Sequence, residues 1–65
     1  MQLTVNGGKY VSAAKSLADL ILELKADPAS VVIVLNDMIV PVDKRATTVP
    51  VEGDCVEVLM FVAGG

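Results

Sequence analysis

The residues best placed to do chemistry are the last three, Ala63-Gly64-Gly65. Two glycines carry no Cβ, so a chain ending in them can pass through a narrow channel. The carboxylate they expose is a nucleophile for the α-phosphorus of ATP, and the resulting acyl-adenylate is open to a sulfur or nitrogen donor. Gly65 is therefore the candidate modified residue and Gly64 the second half of a slender tail. Residues 63–65 are expected to be flexible, since nothing in the sequence anchors them.

Other chemistry is largely excluded by composition. The 65 residues contain no His, so a Ser/His/Asp or Cys/His relay and every His-ligated metal site are ruled out. One Cys permits no internal disulfide and no cysteine zinc site. With no general base stronger than a carboxylate and no activated nucleophile, the chain reads as a substrate of enzymes and not as an enzyme. Cys55 follows a turn with no basic neighbour in sequence, which suits an ordinary strand residue better than a sulfur acceptor. Asp37, Asp43, Glu52 and Asp54 are scattered among turns, too thinly for a calcium site. No resident metal or cofactor is expected.

Partners are bounded in the same way. Tyr10 and Phe61 are the only aromatics, and the net charge is −3, so phosphate backbones and anionic membranes are poor partners. Apolar residues make up 54% of the chain, yet the longest apolar runs, Val31–Leu35 and residues 58–63, are strand-length. Neither approaches the ~20 residues of a membrane helix. The N-terminus has no basic region followed by an apolar one, and a cytoplasmic location is expected.

The elements that must carry the tail follow from periodicity. The length suits a single domain. Residues 1–6 alternate as a strand, Asn6-Gly7-Gly8 signals a tight hairpin, and residues 9–13 return antiparallel. Ser16 three residues before Asp19 predicts a helix start, and Leu17, Leu20, Ile21 and Leu24 form one apolar stripe. Asp27-Pro28 is expected to end that helix. Val31–Leu35 is apolar on both faces and reads as an interior strand. Asn36-Asp37 turns it into a short strand that Pro41 closes. Residues 43–48 are a polar loop or a single helical turn, with Lys44-Arg45 solvated. Glu52-Gly53-Asp54 is a further turn, and residues 55–62 form the longest strand.

A single helix covers one face of a four- or five-stranded sheet. Alternation in the last strand assigns Val56, Val58, Met60 and Val62 to the helix-covered core. Leu59 and Phe61 then fall on the open face, where an apolar patch marks a docking surface. The competing expectation is that residues 42–50 shield them.

The segments Val51-Glu52-Gly53-Asp54-Cys55-Val56-Glu57-Val58 and Val62-Ala63-Gly64-Gly65 resemble the C-terminal signature of the ThiS and MoaD sulfur carriers. Leu35-Asn36-Asp37-Met38-Ile39-Val40-Pro41 resembles the ThiS-type strand-turn-strand. The resemblance spans essentially the whole chain, and its length suits ThiS best. It implies an α+β fold, the ubiquitin-like β-grasp, with order β-β-α-β-β-β. It also implies adenylation of Gly65 by a ThiF-like enzyme using ATP and Mg²⁺, then conversion to a thiocarboxylate. A ThiG-like thiazole synthase would take the sulfur for thiamine biosynthesis. The alternatives are a MoaD-like small subunit of molybdopterin synthase, which would pair with the large subunit, and a ubiquitin-like modifier or interaction module. A monomer is expected when the chain is free. Two features depart from the ThiS pattern. Val42 stands where a basic residue commonly follows Ile-Val-Pro, and Asp43-Lys44-Arg45-Ala46 stands where an aromatic often falls.

Overall fold

The computed structural model describes residues 1–60. The chain begins with strand β1, Gln2–Val5, which pairs antiparallel with β2, Gly8–Val11. Asn6 and Gly7 between them have φ of 50° and 82°. Both lie in the left-handed region that a two-residue turn of this twist requires, and Asn and Gly are the residues that reach it most cheaply. A second such turn, Asn36-Asp37 with φ of 49° and 71°, joins β3, Val31–Leu35, to β4, Met38–Val40.

The one α-helix among the described residues, α1, Leu17–Glu23, starts as its sequence dictates. Ser16 Oγ accepts from the Asp19 N–H at 3.0 Å, and Asp19 Oδ2 accepts from the Lys15 N–H at 3.0 Å. Its other end differs from expectation. The helix closes before Asp27-Pro28, because Lys25 turns left-handed at φ 59° and the amides of Lys25 and Ala26 fold back onto the carbonyls of Leu22 and Ile21. Those two bonds satisfy the last helical carbonyls and stop the helix there. Asp27 instead caps the next turn, a short 3₁₀ segment Pro28–Ser30, by accepting from the Ala29 N–H.

The last strand, β5, Cys55–Met60, is central. The sheet order is β2-β1-β5-β3-β4, with β5 parallel to β1 and antiparallel to β3. Among the described residues, Leu3, Leu17, Leu20, Ile21, Ile33 and Val56 are the largest fully buried side chains, where α1 lies on one face of the sheet. This is a mixed five-stranded sheet with one helix, the ubiquitin-like β-grasp.

Met60 departs from its expected place in the core. Val56 is buried and Val58 half-buried, but Met60 is 69% exposed. The reason lies in the neighbours of β5. Pairing with β1 stops at Val5 opposite Val56, so beyond that rung β5 has a strand only on its β3 side. Val62, the last of the expected core set, lies outside the described residues.

Candidate functional site

Gly64, Gly65 and Phe61 lie outside the described residues. The described part of the candidate site is the strand that leads to them and the sheet face beside it. Leu59 is directly opposite Val32, and Val34 is directly opposite both Glu57 and Ile39. Directly paired residues share a face, so these five side chains stand together on the side away from α1. Leu59 is 46% exposed, Ile39 is 70% exposed, and Val32 and Val34 are half-buried. The result is an apolar strip with one carboxylate, Glu57, set into it.

Residues 42–50 do not shield this strip. A 3₁₀ turn, Val42–Lys44, leads into a loop hydrogen-bonded to the start of the helix. Leu17 donates to the Thr48 carbonyl at 2.9 Å and Ala18 to the Arg45 carbonyl at 3.1 Å. These bonds supply acceptors for helix N–H groups that have no intrahelical partner. The loop is thereby committed to the helix side, leaving the opposite face open.

Arg45 corrects the expectation of a solvated Lys44-Arg45 pair. It is 4% exposed, and its guanidinium donates to the carbonyls of Pro28 and Val31. Its long stem fills space beneath the loop while its head serves main-chain oxygens that would otherwise be buried unpaired. Beside it, an apolar recess of about 410 Å³ opens between α1 and the two 3₁₀ turns, walled by Ala18, Ile21, Leu22, Pro28 and Val42.

Two of the acidic turn residues, Glu52 and Asp54, have structural work. Both Glu52 carboxylate oxygens accept from the Gln2 N–H at 3.0 Å. Asp54 accepts from the Val51 N–H at 2.8 Å and from Asn36 Nδ2 at 3.0 Å. Asn36 Oδ1 in turn accepts from the Cys55 N–H at 2.9 Å, which ties the β3–β4 turn to the start of β5. Among the described residues, no group of three or more His, Cys, Asp or Glu side chains could hold a metal. Cys55 is an exposed free thiol on the open face, opposite Thr4.

On the other side of the domain, Glu23 is held below the usual carboxylate range by the Ser12 hydroxyl, the Tyr10 hydroxyl and the Ala13 N–H. Tyr10 donates to Glu23 at 2.9 Å, and that bond raises the phenol above its ordinary value. The group joins β2 to α1.

Two contributions to β5 were not foreseen from the sequence. The sequence marks Asn6 and Asn36 as turn formers, and each also hydrogen-bonds to β5 through its side chain. The available signal was the choice of Asn at both turns, since Asn alone combines left-handed tolerance with a carboxamide.

A model of the ThiS family matches residues 5–65. The chain is similar over its full length to the crystal structure of a thiamine biosynthesis protein (ThiS) from Geobacter metallireducens. That match has 36% identity and a TM-score of 0.82, and it covers all of both chains. It is also similar to an NMR solution structure of a thiamine biosynthesis protein from the same organism, at 36% identity and a TM-score of 0.80. This second match covers all of this chain and 88% of that one. Nothing among curated proteins matches it significantly. The family match runs through the Gly-Gly ending and the solved structures share the β-grasp body, so this chain belongs to the ThiS family of sulfur carriers.

Proposed function

We propose that the chain carries sulfur for thiazole formation in thiamine biosynthesis, as a thiocarboxylate on Gly65. The observation that carries this reading is a family match extending to Gly65 itself on a body that the ThiS crystal structure matches from end to end. The Gly65 carboxylate attacks the α-phosphorus of ATP in a ThiF-like enzyme, with Mg²⁺ bound to the nucleotide, and pyrophosphate leaves. Hydrosulfide then displaces AMP from the acyl carbon, leaving the thiocarboxylate. A ThiG-like thiazole synthase accepts that sulfur. All catalytic groups belong to the partners, and this chain contributes the reacting carboxyl and the surface that presents it. Leu59 and Phe61 are the docking contacts for those partners in this reading, and the Val32, Val34 and Ile39 strip extends the Leu59 face across β3 and β4.

The test is intact-mass spectrometry after incubation with a ThiF-like enzyme, ATP, Mg²⁺ and a sulfur source. The expected gain is that of one oxygen replaced by one sulfur, absent when Gly65 is deleted and with folding unchanged. A gain that persists in the deletion overturns the assignment. An isopeptide bond from Gly65 to a lysine would move the chain to the modifier class.

A further inference from the structure

The β5 strand stays bonded to its β1 flank farther than β1 itself extends. On this flank Thr4 N–H donates to the Asp54 carbonyl and Asn6 N–H to the Val56 carbonyl, each at 2.9 Å. The two-residue period of a strand makes Val58 the next residue whose N–H and C=O face that side. No main chain of β1 reaches it, because Asn6 and Gly7 turn back into β2. The Asn6 side chain takes the place of the missing peptide. Val58 N–H donates to Asn6 Oδ1 at 2.8 Å, and Asn6 Nδ2 donates to the Val58 carbonyl at 3.3 Å. A carboxamide has the acceptor and the donor of a peptide unit, so one side chain closes both halves of the rung. Past Val58, Leu59 and Met60 keep pairing with β3 alone.

We propose that Asn6 is a positioning residue for the C-terminal segment. Its carboxamide holds the β1-facing edge of β5 at Val58 and so restrains the end of the strand that leads into the tail. The functional half of this statement rests on the carrier reading above, whereas the clasp itself does not. Without the clasp, residues after Val56 have one flanking strand only and sample more conformations. An activating enzyme must then re-order them on binding, an entropic cost that appears in KM and not in kcat.

A residue that merely formed the turn would behave differently, and substitution separates the two roles. Asn6→Gly keeps the left-handed conformation and removes the carboxamide. Asn6→Asp keeps an acceptor for the Val58 N–H but, when ionised, cannot donate to the Val58 carbonyl. Amide hydrogen exchange by NMR in the full chain is expected to show Val58 exchanging about tenfold faster in Asn6→Gly, one hydrogen bond's worth, with Val56 and Ile33 unchanged. Asn6→Asp should fall between Asn6→Gly and the unaltered chain. In activation by a ThiF-like enzyme, Asn6→Gly is expected to raise the KM for the carrier about threefold or more with kcat unchanged. Equal acceleration at Val58 and Val56, no change at Val58, or an unchanged KM alongside a loosened Val58 would overturn the proposal. If the unaltered chain is never adenylated, the carrier reading fails by itself, and the exchange measurement still decides the clasp.

Discussion

Arg45 Nη2 donates to the carbonyl of Val31, the residue that pairs with Met60 at the end of the last described strand. A buried cation here bridges the loop before β5 to the start of β3, and its second bond reaches Pro28. Removing it orphans two carbonyls and opens space beneath the loop. Arg45→Ala should therefore destabilise the domain by about 2–4 kcal/mol. Urea denaturation checks this as a lower midpoint with an unchanged slope. Arg45→Lys should recover less than half of the loss, because one ammonium cannot match the fork that serves both oxygens.

The β3–β4 turn offers a comparison of conformational and hydrogen-bonding effects at one position. Asn36 sits at φ 49° and bonds through its side chain to Cys55 and Asp54. Asn36→Ala should cost about 2–3 kcal/mol, combining lost bonds with left-handed strain. Asn36→Gly should cost about 1 kcal/mol less, since glycine removes the strain and not the bond loss. Thermal unfolding of the two variants together measures the difference.

Acid sensitivity should trace in part to Glu23. Its folded value lies below its ordinary value of 4.5, so the ionised form is the one the folded state favours. The stability it contributes is complete above about pH 4.5 and is lost as pH falls through the lower folded value. Glu23→Gln should flatten the fall in melting temperature on the acid side of that point. Tyr10 has the opposite sign: its raised value means that the contribution is present below pH 10.0 and lost above it. Tyr10→Phe should remove that alkaline limb and part of the acidic one, because Glu23 loses the phenol as a donor.

Leu59 offers a test of the proposed docking surface apart from folding. Its side chain is on the open face, so Leu59→Asp should leave the circular dichroism spectrum unchanged and shift the denaturation midpoint little. Activation by a ThiF-like enzyme should fall about tenfold or more in kcat/KM, as expected for a charge placed in an apolar contact. A variant with normal activation would place docking elsewhere.

Much of the fold was legible because its signals are local. The two Asn-led turns, the Ser16 cap, the Leu17, Leu20 and Ile21 stripe and the doubly apolar β3 are set by backbone preference and periodicity within a few residues. The Gly-Gly ending and its likeness to the ThiS pattern were likewise readable without coordinates. Tertiary structure decided what depends on distant neighbours. Arg45 is buried because carbonyls 14 and 17 residues away need donors. Met60 is exposed because β1 ends beside Val56, a boundary that alternation in β5 cannot register. Asn6 gains its second role from Val58, 52 residues later, through a parallel pairing that places the last strand beside the first. A residue's own preferences reach only as far as its turn or strand, whereas burial and hydrogen-bond completion are settled by whatever the fold brings alongside.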